Sequence, residues 1–170
     1  LVGGKWTSFR AFSEQVAAKV MTSLGKTKEK STESLPIRGG KNLPLSKAQK
    51  ESYINNLVSK YGFTEEYGKE LLTRYGTYAE KIANHIEKNK GKMLKSIPNW
   101  NSGELVYILQ NEKPLHLDDL FIRRSTIMWL GNASEDVIEE FADIMADEYN
   151  WSATKKKEEI AKVKNIIANS

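Results

Sequence analysis

The sequence has 170 residues, of which 39% are apolar and 28% charged, a balance typical of one soluble globular domain of ordinary size. No apolar run approaches the ~20 residues that a membrane-spanning helix needs. Cysteine is absent, which excludes disulfides and cysteine catalysis, and His85 and His116 are the only histidines, so no metal site is predicted.

The net charge of +4 hides an asymmetry along the chain. Residues 1–50 hold ten Lys/Arg against three Asp/Glu, whereas residues 101–150 hold three against eleven. The basic N-terminal third has loop-like composition and no nucleic-acid recognition motif, so nucleic acid is not predicted as a partner. Docking of this segment against another part of a larger chain explains its charge equally well.

The chain opens like the end of a strand. Leu1 and Val2 run into Gly3-Gly4, which indicates a strand entering a tight turn and therefore a piece of a longer protein. Thr7 or Ser8 then caps a predicted helix that ends at Gly25. Its apolar face recurs at three- and four-residue spacing: Phe9, Phe12, Val16, Val20 and Leu24. Residues 26–45 have the composition of a linker.

From Ser46 onward every pattern is helical, and no alternation of period two follows. Polar residues suited to cap helices stand before the apolar stripes: Ser46 with Gln49, Thr64, Thr77 with Glu80, Ser102, Ser134 and Ser152. Residues 46–170 are therefore predicted to be all-α, a small bundle of about six to seven helices.

Two nucleotide-binding motifs can be excluded. Gly25-Lys26-Thr27 resembles the end of a phosphate loop, but Val20 stands where that loop requires glycine, and the tripeptide follows a helix instead of preceding one. None of the eleven glycines forms G-x-G-x-x-G, so this chain has no dinucleotide fingerprint of its own.

The segment from Gly3 to Arg10, Gly-Gly-Lys-Trp-Thr-Ser-Phe-Arg, is more informative. Two glycines let a flat ligand approach the backbone, while Lys5 and the free N–H groups of a helix start offer positive potential to an anion. By composition alone, a turn leading into a helix is the simpler interpretation.

This segment resembles the G-G-K-x-T-T-Y-R motif of FAD-dependent glycerol-3-phosphate dehydrogenases and oxidases, with Ser8 and Phe9 in place of Thr and Tyr. Residues 35–40, Leu-Pro-Ile-Arg-Gly-Gly, resemble the loop that follows in that family. A third segment resembles the E-x-x-Y…E…D-x-x-x-R-R signature of the family's C-terminal helical domain, through Glu104, Tyr107, Glu112, Asp119, Arg123 and Arg124. Ser125 departs from the Thr that commonly follows the arginine pair.

The resemblance implies a parent flavoenzyme that oxidises sn-glycerol 3-phosphate to dihydroxyacetone phosphate, with electrons passing through FAD to a quinone or to dioxygen. Residues 1–25 would end the α/β FAD-binding domain as a strand–turn–helix stub, 26–45 would be a linker, and 46–170 a helical cap domain. In that reading Lys5 is catalytic beside flavin and substrate, and Gly3, Gly4 and Thr7 contact the cofactor.

FAD is not expected in this segment alone, which is predicted inactive, and its partner is the upstream FAD domain of the same chain. A cytoplasmic location is expected, while a homodimer and a peripheral membrane contact of the parent stay open. The alternative is a free-standing helical module that binds protein through its charged faces.

The second motif also has a physical reading. Asp119 and Arg123 are four positions apart on one predicted helix, which suits an exposed ion pair. Arg124 shares the apolar face with Leu120 and Phe121 and so requires a carboxylate, which Glu112 or Glu104 of the preceding helix would supply. These five charged residues are predicted to form a structural network, with Arg124 in a buried pair.

Overall fold

The computed structural model describes residues 5–27 and 30–169, and within these ranges the chain is helical, with no strand and one isolated β-bridge between Met93 and Asn101. The α-helices are α1 (Phe9–Ser23), α2 (Lys47–Tyr61), α3 (Glu65–Tyr75), α4 (Ala79–Lys88), α5 (Ser102–Glu112), α6 (Leu117–Arg123), α7 (Glu135–Tyr149) and α8 (Ala153–Ala168). The predicted all-α bundle is confirmed, with α2–α8 in the region expected to hold about six to seven helices. The predicted strand at Leu1 and Val2 lies outside the described residues.

Most of the predicted caps are confirmed. Four of them accept the backbone N–H three residues on: Ser46, Thr64, Ser134 and Ser152. Ser46 and Gln49 form a complete capping box, because the Gln49 side-chain oxygen also accepts the Ser46 N–H at 3.1 Å. Each such cap stabilises its helix by about 1 kcal/mol.

Two of the caps predicted beyond residue 45 are wrong, because each side chain bonds a different segment of the chain. Thr77 does not cap α4, because its hydroxyl donates to the carbonyls of Gly39 at 3.1 Å and Lys41 at 2.7 Å. Asn101, and not Ser102, caps α5 by accepting the N–H two residues on at 2.8 Å. The Ser102 hydroxyl instead accepts an N–H from the loop before the helix at 2.9 Å.

Helix α5 lies between two hydrophobic clusters. Its residues Leu105, Ile108 and Leu109 belong to a large cluster with α6, α7, α8 and the loop before α5. Tyr107 belongs to a second cluster built on α2, α3 and α4. Because α5 is covered on two sides, a polar group of α5 that points between the clusters needs partners inside the protein.

The segment before α2 is attached to the bundle by a contact between two backbones. A Cβ added at Gly39 would lie 1.8 Å from the Tyr75 carbonyl oxygen, and one added at Gly76 would lie 2.4 Å from the Gly39 oxygen. Only glycine permits this approach, and Gly76 also has a φ of +57°. Pro44, further along the same segment, is buried.

The N-terminal helix contrasts with the bundle. Helix α1 buries none of its side chains completely, and Trp6, just before it, is 91% exposed. The segment after residue 30 returns to α1, where Arg10 donates to the Thr32 hydroxyl at 3.2 Å. The domain division at residues 25 and 45 stays a prediction.

Candidate functional site

The N-terminal motif is described from Lys5 onward, since Gly3 and Gly4 lie outside the described residues. Lys5 and Thr7 are exposed. Neither Thr7 nor Ser8 caps α1 with its side chain, so that prediction is wrong: the Ser8 hydroxyl turns back to the Lys5 carbonyl at 2.9 Å. The motif therefore presents a lysine at the surface ahead of a helix, and the roles assigned to these residues stay predictions.

The most enclosed polar site of the described residues is centred on Glu104 of α5. Its side chain is fully buried and accepts hydrogen bonds from three side chains of α3. The distances are 2.5 Å from Arg74 Nη1, 2.7 Å from the Tyr75 hydroxyl and 2.9 Å from the Tyr67 hydroxyl. This network joins the two clusters across α5.

Arg74 has further contacts besides its pair with Glu104. Its guanidinium lies 4.3 Å from the centre of the Trp100 ring and also donates to the Asn99 carbonyl. Burial pushes the pKa of Glu104 up, against the opposing effects of Arg74 and the two tyrosines, while Glu104 keeps the pKa of Arg74 raised in spite of burial. Three donors within 2.9 Å of the carboxyl favour the ionised pair.

Sequence reasoning missed Arg74. The sequence offers Glu112 or Glu104 as the partner of Arg124, and the structure pairs Glu104 with Arg74 instead. The signal was present, because Arg74 follows Leu71 by three positions and Tyr67 by seven, which places a cation on the apolar face of α3. The same rule, applied only to Arg124, selected the less buried arginine.

The other predicted network residues lie at the end of α5 and on α6. Arg124 Nε is 2.8 Å from Glu112 Oε2, so one of the two predicted carboxylates is confirmed as its partner. The Arg124 side chain is 38% exposed, however, and the prediction of a buried pair is wrong. Arg124 follows the last residue of α6, where the helix no longer directs the side chain onto its apolar face. The predicted Arg123–Asp119 pair is confirmed, at 2.7 Å.

An open groove of about 530 Å³ adjoins this exposed pair. Its walls are the 3-10 turn at Arg38–Gly40, the end of α3, α5 and the end of α6. Arg38 and Arg124 both line it and share one carboxylate, since Glu112 Oε1 is 3.8 Å from Arg38 Nη1 and Glu112 Oε2 is 2.8 Å from Arg124 Nε. The lining mixes apolar and polar side chains, and its charged residues are four arginines and one glutamate.

A third polar cluster joins α6 to α8. His116, Asp118 and Glu159 have side-chain ligand atoms within 4.8 Å of one another, but lysines already neutralise both carboxylates, Lys155 at 2.6 Å from Glu159 and Lys162 at 2.8 Å from Asp118. Burial alone would raise the pKa of Glu159, but hydrogen bonds from Lys155, His116 and a backbone N–H lower it to about 2. The cluster is therefore best described as an ion-pair network between helices.

Among the described residues, no helix is long and apolar enough to cross a membrane. The family model for the C-terminal domain of alpha-glycerophosphate oxidase matches residues 30–156.

Several curated proteins are similar over nearly the whole chain. The probable mitochondrial glycerol-3-phosphate dehydrogenase of Dictyostelium discoideum is 27% identical over 98% of this chain and 26% of its own length. The aerobic glycerol-3-phosphate dehydrogenase of Bacillus subtilis is 25% identical over 98% of this chain and 32% of its length. The alpha-glycerophosphate oxidase of Streptococcus pneumoniae is 24% identical over 100% and 29%. The chain thus spans between about a quarter and a third of these relatives.

Proposed function

Since the chain belongs to the family of C-terminal domains of alpha-glycerophosphate oxidase, we propose that it is the C-terminal region of an FAD-dependent enzyme that oxidises sn-glycerol 3-phosphate. The observation that carries this proposal is the match over residues 30–156, with relatives named as glycerol-3-phosphate dehydrogenases or oxidases along the rest of the chain. The electron acceptor, quinone or dioxygen, is left open, and the cytoplasmic location stays a prediction.

The bundle itself is proposed to be structural. Glu104, the buried carboxylate that a search for a catalytic acid would select, is fully enclosed and engaged by Arg74, Tyr67 and Tyr75. A group without access to solvent cannot meet a dissolved substrate, and burial raises the pKa values of both tyrosines, which keeps them as donors to Glu104. This supports the expectation that α2–α8 carry no oxidation chemistry.

Lys5 is proposed as the residue of this chain that acts in the parent reaction. It is exposed, precedes a helix and makes no side-chain hydrogen bond or ion pair within the described residues, so its ammonium is available to a neighbouring domain. The upstream domain would bind FAD, which would supply the hydride acceptor. A cation fixed near the ring would stabilise negative charge that arises only as hydride transfer proceeds, and such an interaction accelerates the step.

The test is turnover of glycerol 3-phosphate by the full-length parent carrying Lys5→Ala. We expect kcat to fall by about tenfold or more while the thermal midpoint stays within error, because the charge acts in the transition state. Lys19→Ala, an exposed lysine on α1, is the matched control and should leave both unchanged. Normal kcat in Lys5→Ala would remove Lys5 from the active site.

The isolated chain provides a second test. It has no G-x-G-x-x-G motif, so it should purify without flavin absorbance and without glycerol 3-phosphate oxidation. Stoichiometric flavin bound to the 170-residue chain would contradict the division of labour proposed here.

A further inference from the structure

The groove beside α6 carries more positive charge than its own acidic residue neutralises. Its lining includes Arg38, Arg74, Arg123 and Arg124 against Glu112 alone. Arg74 is committed to its buried pair with another glutamate, and Arg123 to the aspartate four residues before it. The arginines that remain available to a ligand are therefore Arg38 and Arg124.

Both of these guanidinium groups have unused donors. Arg124 bonds Glu112 through Nε, and its Nη1 makes only a long contact, 3.4 Å, with a neighbouring carbonyl. The Arg38 guanidinium is 3.8 Å from Glu112, too far for a hydrogen bond, and makes no other polar contact within the described residues. Since each guanidinium has five N–H donors, one carboxylate satisfies a small part of the pair.

The backbone of Arg38 is also strained. Its φ is +41°, a left-handed conformation that a residue with a Cβ rarely adopts. The Gly39–Gly76 contact next to it fixes the chain at this point. Residues held in such conformations cluster at sites that bind ligands, because the surrounding structure must impose them.

The lining of the groove also includes two tyrosine hydroxyl groups. Tyr107 donates to Tyr78 at 2.9 Å, and Lys81 donates to the same Tyr78 oxygen at 2.7 Å. The hydrogen bonds from Lys81 and Tyr107 lower the pKa of Tyr78, and the charge of Arg38 acts in the same direction. The site thus has positive potential together with hydroxyl groups at its edge.

We propose that this groove binds a small phosphate monoester, whose phosphate group accepts hydrogen bonds from the N–H groups of Arg38 and Arg124 that Glu112 leaves unused. A phosphate offers several oxygens and up to two negative charges, which matches two guanidinium forks better than a single carboxylate does. A volume of about 530 Å³ suits a small molecule, and the inference does not rest on the activity proposed for the parent.

The test is calorimetric titration of the chain with inorganic phosphate and with glycerol 3-phosphate, followed by NMR of the arginine Nε–Hε signals. We expect saturable binding of one anion per chain, with the signals of Arg38 and Arg124 shifting. The Arg38→Gln/Arg124→Gln variant should bind at least about tenfold more weakly. Lys60→Gln/Lys69→Gln, which removes the same charge from exposed pairs outside the groove, should bind like wild type.

Arg38→Gln alone keeps the proposal testable if the double variant does not fold, because the Arg38 side chain is 71% exposed and its loss should not disturb the core. Non-saturable binding, equal affinity in the groove and control variants, or no shift of the two arginine signals would overturn the proposal. So would binding seen only with phosphatidic acid vesicles and not with glycerol 3-phosphate, which would indicate a lipid headgroup on a membrane surface.

Discussion

Glu104 and Glu112 are two carboxylates of the same helix that both bind arginine, and yet their surroundings differ. Glu104 is fully buried, with three side-chain donors within 2.9 Å, whereas Glu112 is 28% exposed between two arginines that are more exposed still. A buried charge that loses its partner cannot recover its hydration, while an exposed one can. The same contact type therefore has a structural role at one end of α5 and is free to serve a ligand at the other.

The largest loss of stability should come from removing the arginine of the buried Arg74–Glu104 pair. Arg74→Ala would leave Glu104 buried and unpaired, which costs about 3–5 kcal/mol when a buried pair loses one partner. Urea unfolding followed by circular dichroism measures the loss. A urea midpoint of Arg74→Ala equal to that of wild type would show that Glu104 is not a buried charge that depends on Arg74.

A double variant separates the pair itself from the cost of an unpaired charge. Arg74→Leu/Glu104→Leu removes both ions, so it should be more stable than Arg74→Leu alone. If the double variant were the less stable of the two, the pair would contribute net stability beyond neutralising each partner.

Near the exposed Glu112, stability is expected to depend more on the backbone contact at Gly39 than on charge. Gly39→Ala places a methyl group 1.8 Å from the Tyr75 carbonyl oxygen, so the backbone must shift, and we expect a loss of about 1–3 kcal/mol. Gly40→Ala is the matched control, because a Cβ there meets nothing within 4 Å. Equal urea midpoints for the two variants would mean that the Gly39–Gly76 contact does not hold this segment in solution.

Glu159 is a third carboxylate for this comparison, buried and paired with a lysine and a histidine. Its folded pKa of about 2 lies below the ordinary value of 4.5, so its contribution is fully present above about pH 4.5 and is lost as the pH falls through about 2. Glu159→Gln should remove this dependence. Urea midpoints of wild type and variant should differ by a constant amount near about pH 7 and converge as the pH falls from about 4.5 to about 2. A difference that stays constant over this range would contradict the lowered pKa.

The smallest effect is expected at Arg124. Its pair with Glu112 is solvated, so Arg124→Ala should cost about 0–1 kcal/mol, in the range of exposed ion pairs. The variant should nevertheless weaken phosphate binding in the groove, so stability and binding would separate at this residue. A loss as large as that of Arg74→Ala would show that the two ends of α5 are energetically alike.

Local patterns predicted what depends on neighbours along the chain. Apolar spacing indicated the helices. The caps confirmed by the structure are Ser46, Thr64, Ser134 and Ser152, and Asp119 pairs with Arg123 four residues on. Thr77 shows where this reasoning ends. Its sequence context suits a cap, but its hydroxyl is taken by a loop 36 residues earlier in the chain.

The sequence by itself determined the helical class of the chain and its family, because helix periodicity and the motif from Glu104 to Arg124 depend on residues close together in the sequence. Only the tertiary structure decided that Glu104 pairs with Arg74, 30 positions away, and that the Arg124 side chain stays 38% exposed. The reason is geometric: which face of α5 points between the two hydrophobic clusters is set by how the helices pack together. Burial, and with it the energetic weight of each ion pair, follows from that packing.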